Sequence, residues 1–328
     1  MFEVSQLRHE TVSNKKIEHA LNGKELLRKL SVKDYIGTLG ARLGLRDNYA
    51  IQPGLYQIGV PDESSDVLVT CNYKLTIDLL RKSLKKDYHI LVLDTDGINV
   101  WCAAGKGKFG TAELIYALKN YGLDKVIGHK RLILPQLSAP GIQSHLVQKV
   151  TGYKIKYGPV RITDMDKYTD SYLKTIEMSR VEFKFMDRLV LTPLEFIKGL
   201  RLVIAVMLLS LLPLIDDMHI WMTLLSLTLG TIIFPMLLPI RPVRMFFVNG
   251  LILGLVLNGL LFIQYISIFN LGWYLLMSLY TSYLCMNFTG STTFTSLSGV
   301  DKEMNIAIKL LIRGAMLSLI LMMIGVFL

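Results

Sequence analysis

The chain has 328 residues, 52% of them hydrophobic, and a formal net charge of +10. That length holds one domain of ordinary size plus a second region. The apolar excess is unevenly placed: charged residues are scattered through the first half and nearly absent beyond Arg201. A soluble head followed by a membrane anchor accounts for this asymmetry, and basic residues spread over the head and gathered at the ends of apolar segments suit membrane flanks better than a nucleic-acid stripe. Three cysteines, Cys71, Cys102 and Cys285, lie far apart with no C-x-x-C pair. That spacing argues against a disulfide framework, and against a zinc site or iron–sulfur cluster of the chain's own. The polar start, Met1 to Glu10, has no apolar core of a signal peptide, so the head is expected to stay in the cytoplasm.

Residues 1–50 read as an N-terminal extension, polar and then glycine-rich, with helical apolar spacing from Ile17 to Leu30. From Pro53-Gly54 onward strand and helix alternate. Strands are expected at Leu55–Val60, Val67–Thr70, Ile90–Leu93, Arg131–Pro135 and Tyr153–Tyr157, and helices at Leu75–Leu84, from an N-cap at Thr111 through Leu118, and at Ile142–Val150. Such alternation predicts a Rossmann-like α/β domain over 51–190 with a mostly parallel sheet. Ligands of parallel sheets sit at the carboxyl ends of the strands, where the polar loops at Cys71–Tyr73, Asp94–Lys106, Gln136–Gly141 and Gly158–Arg161 fall.

After Thr192-Pro193 come five apolar segments, at about 199–215, 220–238, 246–263, 271–285 and 306–328, each near the length needed to cross a hydrocarbon core of about 30 Å. The region 191–328 is therefore expected to be an all-α domain of five transmembrane helices. Arg241 and Arg244 in the second loop and Lys302 in the fourth, against uncharged or acidic first and third loops, orient the head to the inside. Asp216, Asp217 and His219 read as a polar turn, and Asn249, Asn258 and Gln264 as polar contacts between helices. Asn287-Phe-Thr289 fits a glycosylation acceptor on the wrong side of the membrane, within a polar segment running to Gly299.

Two motifs sit together after the third expected strand. Gly105-Lys-Gly107-Lys-Phe-Gly110 matches G-x-G-x-x-G and suggests a dinucleotide or phosphate loop, but the acidic residue expected about twenty positions on is missing. The plain alternative is glycines that let backbone pack against something large. Just before it stands Asn99-Val-Trp-Cys-Ala-Ala-Gly-Lys106, a lone thiol in a loop with lysines nearby that would favour the thiolate. Residue chemistry leaves Cys102 open between an inert buried thiol and a ligand or nucleophile, with His129 and His145 as candidate partners.

The stretch Asn99–Lys106 resembles the signature N-(V/I)-W-C-A-(A/G)-G-K of the mercury-methylating corrinoid protein family, HgcA, at every position. The resemblance extends to Asn72-Tyr73-Lys74, to Pro135-Gln136-Leu137 with Ala139-Pro140-Gly141, to Tyr157–Arg161 and to the polar segment from Asn287 to Met304. It implies a head related to the corrinoid domain of the corrinoid iron–sulfur protein, binding a base-off cobalt corrinoid of the cobalamin type, with Cys102 as lower axial ligand. Contacts to the cofactor are implied for Asn72, Asn99, Val100, Trp101, Ala103, Ala104, Gly105, Lys106, Gln136, Ala139 and Pro140. The implied activity is a corrinoid-dependent methyltransferase that passes a methyl group from methyl-cobalt(III) to mercuric ion, giving methylmercury. The implied partners are a small ferredoxin-like protein with two [4Fe–4S] clusters as electron donor, a folate-linked methyl donor and membrane lipid, with no nucleic acid. Small residues and exposed backbone at Ala103, Ala104 and Gly105 would give a flat corrin ring clearance. Trp101 reads either as packing against the corrin and walling the site from water or as an anchor of its own loop. The alternatives are a methyl carrier for another acceptor, and a transporter or redox anchor with a nucleotide-binding head.

Overall fold

The computed structural model describes residues 24–45, 49–209, 215–292 and 294–328. It divides into a head, residues 1–41 with 46–181, and a helical unit, residues 42–45 with 182–328.

Among the described residues the head has six strands: β1 (Lys24–Glu25), β2 (Gly54–Ile58), β3 (Val67–Cys71), β4 (Tyr88–Leu93), β5 (Arg131–Leu134) and β6 (Lys154–Tyr157), in the spatial order β1-β2-β4-β3-β5-β6. β3, β4, β5 and β6 run parallel, with Leu68 opposite Ile90 on one side and Ile133 on the other. β2 pairs antiparallel with β4, Tyr56 against Ile90, and β1 runs parallel to β2. The mostly parallel α/β sheet expected from the alternation is present, with an antiparallel margin.

Alternation along the strands sends side chains to two cores. Val67, Val69, Cys71, Leu91, Leu93, Leu132 and Leu134 point to one face, under α3 (Val100–Gly105), α4 (Thr111–Asn120) and α5 (Ser144–Thr151). Leu68, Ile90, Val92 and Ile133 point to the other, under α2 (Lys74–Ser83) and α6 (Met165–Ser171). β3 and β4 are buried along their whole length, which is why they read as continuous apolar runs. Each such Val, Leu or Ile contributes about 1.5–3 kcal/mol by leaving water.

Three expectations need correction. The helix proposed over Ile17–Leu30 fails where it can be followed: residues 17–23 lie outside the described set, and Lys24–Glu25 is a strand held by its neighbour β2. The supposed extension instead supplies part of the head, namely β1 and a helix not foreseen, α1 (Val32–Arg42). Thr111 is the first residue of α4 rather than its cap; Gly110 is the N-cap, and the Thr111 hydroxyl accepts a hydrogen bond from Gln143 N at 2.8 Å.

α1 is fastened by ions. Asp34 lies 2.7 Å from Lys74 Nζ and 3.2 Å from Arg81 Nη1, and Arg81 also donates to the carbonyls of Leu27 and Lys29 at 2.6 and 3.1 Å. Gly37 is required here, since a Cβ would come within 2.3 Å of the Tyr49 hydroxyl.

The helical unit forms helices at all five apolar segments: α7 (Thr192–Leu209), α8 (Asp217–Thr228), α9 (Phe246–Phe262), α10 (Ile268–Asn287) and α11 (Leu297–Phe327). α8 continues through a π-turn at Leu229–Ile233 to Ile240; Pro235, which lacks an N–H, follows that turn and explains the widened ladder. Among the described residues, two helices are long and apolar enough to cross a membrane, Asp217–Ile240 and Ser298–Phe327; Phe246–Phe262 is apolar but shorter. α9 and α10 approach closely, because Cβ atoms at Gly250 and Gly254 would lie 2.8 Å from the Cα atoms of Ser282 and Ser278. The polar turn at Asp216 is a helix cap: its carboxylate accepts from Met218 N, and His219 Nδ1 accepts from Asp216 N. Asn258 pairs with Ser226 across helices, as expected, whereas Asn249 bonds locally to Val243 and Met245.

Burial alone would raise the Asp34 carboxyl, but hydrogen bonds from Lys74 and Ser31 and the Lys74 charge outweigh it and hold the group well below the usual range. A depressed folded value means that this stabilisation is complete above the ordinary carboxylate pKa of about 3.9 and is lost as pH falls below it. Amide exchange in 32–42 should therefore accelerate on acidification through that range before β3 and β4 lose protection. Simultaneous loss in helix and sheet would show that Asp34 does not hold α1.

Candidate functional site

The four loops singled out in the sequence leave the carboxyl ends of β3, β4, β5 and β6, all at one end of the sheet. β3 ends at Cys71, and Asn72 follows it with its side chain buried. Its Oδ1 accepts from Thr95 N at 3.1 Å, Thr95 Oγ1 at 2.8 Å and Gly97 N at 3.0 Å, while its Nδ2 donates to Asp94 Oδ1 at 3.1 Å. One carboxamide thus shapes the loop leaving β4. Within it Asp96 and Gly97 adopt left-handed backbone, φ 54° and 69°, a turn that aspartate and glycine tolerate.

That turn delivers the chain to α3. Asn99 is its N-cap, its Oδ1 accepting from Cys102 N at 3.0 Å. The eight-residue motif read as a loop is therefore a capped helical turn and a half. Its residues divide by face: Val100, Ala103 and Ala104 are buried in the core, whereas Asn99, Trp101, Gly105 and Lys106 are exposed and Cys102 is half-buried. This corrects the expected role of the two alanines. They do not line the surface; Ala103 has no exposure at all, and both let α3 pack closely on the sheet.

The 3₁₀ helix Gln136–Gly141 packs beside α3. Gly141 permits it, since a Cβ there would fall 2.3 Å from Phe109 O and 3.3 Å from Ala104 Cα. Ala139 and Pro140 reach the surface, while Gln136 accepts a hydrogen bond from Lys174 Nζ and Ser138 is buried.

The glycine motif is a turn joining α3 to α4. Its amides are engaged internally: Lys106 N donates to Cys102 O, Gly107 N to Ala104 O, and Lys108 N and Phe109 N both to Ala103 O. A phosphate loop must aim such N–H groups at its ligand, so the dinucleotide reading fails on this geometry. Gly107 sits at φ 73° and a Cβ there would meet nothing within 4 Å, so the surface beside Cys102 is open.

Of the three thiols, Cys71 and Cys285 are buried and Cys102 is reachable. Burial pushes the Cys71 thiol up. Lys108 is not free to serve Cys102, because its Nζ lies 2.9 Å from Asp96, whose hydrogen bond and charge raise the ammonium. His129 bonds Ser65 O at 3.1 Å at the amino end of β5, away from the strand ends where Cys102 stands. Sequence reasoning missed Asp94, Thr95, Gly97 and Gly141 as parts of the site's support; the Asp-Thr-Asp-Gly run after a strand was the available signal for the first three.

A corrinoid is compatible with these residues. Among the described residues no three His, Cys, Asp or Glu side chains come together, and a metal with its own equatorial ring nitrogens needs none: one soft axial donor suffices. Cys102 would be such a donor, on an open surface of Trp101 (37% exposed), Gly105 and Gly107.

Residues 19–168 match the family model described as CO dehydrogenase/acetyl-CoA synthase delta subunit. Curated relatives include the acetyl-CoA decarbonylase/synthase complex subunit gamma of Methanothermobacter thermautotrophicus, 30% identical over 128 residues, 38% of this chain and 28% of that protein. The same subunit of Methanocaldococcus jannaschii is 32% identical over 126 residues, 38% of this chain and 25% of that one. The corrinoid/iron-sulfur protein large subunit of Moorella thermoacetica is 30% identical over 112 residues, 33% and 25% of the two chains. The chain thus spans only about a quarter of the length of these relatives. The head is related to the large subunits of corrinoid/iron-sulfur proteins.

Replacing Asn72 by Ala should lower the unfolding free energy by about 1–3 kcal/mol for each buried donor left unpaired, Thr95 first. Cys102→Ala, which removes a half-exposed thiol, should change it little. Urea unfolding of the two variants checks this; equal losses would deny Asn72 its place as the loop's support.

Proposed function

We propose that the chain is a membrane-anchored corrinoid protein that carries a methyl group and delivers it to mercuric ion, with the Cys102 sulfur as lower axial donor to the cobalt. The observation carrying this reading is the position of Cys102: the one reachable thiol, on the first turn of a capped helix at the carboxyl end of a parallel sheet, in a head related to corrinoid proteins. The full match of Asn99–Lys106 to the signature of the mercury-methylating family favours mercuric ion as acceptor.

A bound corrinoid would supply the cobalt–carbon chemistry of methyl transfer. The chain's residues hold and direct it. Cys102 presents sulfur from a backbone fixed by Asn99, and Asn72 fixes the loop from which Asn99 rises. The Cys102 thiolate would be an electron-rich donor to the cofactor's metal, as axial thiolate is in haem proteins, and such a donor would favour delivery of the methyl group to an electrophilic ion. Trp101 offers a broad apolar wall beside the thiol, and Gly105 and Lys106 leave backbone open to the ring. Ala139 and Pro140, carried next to α3, offer a second wall.

The three cysteines are too dispersed for an iron–sulfur cluster of the chain's own; the resemblance to the mercury-methylating family implies a separate ferredoxin-like protein as electron donor and a folate-linked methyl donor. The five apolar helices would seat the chain in the cytoplasmic membrane with the head inside. A second reading, a methyl carrier for another acceptor, is favoured by the relatives' names, which are those of acetyl-CoA decarbonylase/synthase subunits.

Anaerobic assay of the purified chain carrying a methylated corrinoid, with mercuric ion added, separates these readings. Methylmercury is expected from the native chain and none from Cys102→Ala. Methylation by Cys102→Ala at the native rate would remove the axial role, corrinoid binding without methylmercury would favour another acceptor, and absence of corrinoid absorbance after reconstitution would sink both readings.

A further inference from the structure

Helix α1 is amphipathic in an inverted sense. Its polar side faces the protein: Asp34 is tied to Lys74 and Arg81, and Gly37 is buried on Tyr49. Its apolar side faces away. Val32, Tyr35, Ile36 and Leu39, at positions i, i+3, i+4 and i+7, form one arc and are 75%, 56%, 66% and 57% exposed. At 3.6 residues per turn, Lys33 falls on one border of that arc and Arg42 on the other, both exposed. Arg28, which precedes the helix, holds the segment from below through the carbonyls of Leu84 and Lys86.

We propose that α1 is an interfacial helix that lies in the headgroup layer of an anionic membrane and docks the head to the bilayer. The inference rests on the reading that the helical unit spans a membrane. Ions hold the helix in place without using its apolar side, so that side is fixed on the surface and left open. A strip of four side chains falls short of the roughly 800 Å² per partner of a standard protein interface. It suffices for a helix at the lipid boundary, where binding follows apolar area plus attraction of basic residues for anionic lipid. Lys33 and Arg42 stand where their long stems would cover the edge of the arc and their charges reach phosphates. The chain's own charge, +10, has the sign such a surface attracts.

Spin labels in the full chain test this, reconstituted in nanodiscs of phosphatidylcholine with a minority of phosphatidylglycerol. A Cys102→Ser background leaves only the buried Cys71 and Cys285 besides each introduced thiol. Labels at Ile36→Cys and Leu39→Cys report α1, Ile320→Cys on α11 reports membrane insertion, and exposed Lys82→Cys reports water. Expected is preferential collision with oxygen over a water-soluble nickel chelate at 36 and 39, as at 320, and the reverse at 82. Adding Leu39→Asp should return the label at 36 to chelate preference. Chelate preference at 36 and 39 with 320 still immersed overturns the docking and leaves the membrane reading standing; chelate preference at 320 as well removes both. Inaccessibility of 36 and 39 to both reagents overturns the proposal in favour of a protein cover.

Discussion

The geometry of the site depends on the carboxamide of Asn72. It is buried at the end of β3 and gathers three donors from the loop that leaves β4, joining the carboxyl ends of two adjacent strands through one side chain. With Thr95 wholly buried, its amide and hydroxyl have no water to turn to, so the loop takes a shape that satisfies them. The left-handed pair Asp96–Gly97 and the Asn99 cap follow from that shape, and the position of Cys102 follows from the cap. Asn72, expected as a contact to the cofactor, thus acts through the loop: its Oδ1 accepts three hydrogen bonds, and its Nδ2 engages Asp94.

The residues of Asn99–Lys106 alternate between a buried and an exposed face around a short helix. Val100, Ala103 and Ala104 face the sheet, and the two alanines are small because α3 lies close to it, with Gly141 admitting the neighbouring 3₁₀ helix to the same place. Trp101, Cys102 and Gly105 face outward and are free to serve a ligand. Small residues on both faces look alike in a sequence. Only the direction of the helix separates those that pack the protein from those that would admit a ring.

β3, β4 and most of β5 were legible because they are buried and read as short apolar runs between turn residues, whereas β6, with Lys154 and Lys156 exposed, reads as an alternating run; all four agree with expectation within two residues. The five apolar helices were legible for a similar reason, their runs being long. α1 was not. Its apolar residues point outward and its inward contacts are ionic, through partners at Lys74 and Arg81 that are distant in sequence. α3 was missed because six residues ending in glycine look like a loop until Asn99 is seen to cap them. The phosphate-loop reading of Gly105–Gly110 failed for a physical reason that spacing does not reveal, namely that its N–H groups are already bonded within the turn. The candidate thiol was visible at once, and its exposure, in contrast to the burial of Cys71 and Cys285, was not.

A sulfur donor from Cys102 is the claim on which the functional account turns. Cobalt K-edge X-ray absorption of the corrinoid-loaded chain measures it directly, since sulfur and nitrogen neighbours scatter differently. The account predicts one sulfur scatterer in the native chain and its loss in Cys102→Ala with the ring nitrogens retained. A native spectrum fitted by nitrogen and oxygen neighbours alone, unchanged by the substitution, would contradict it.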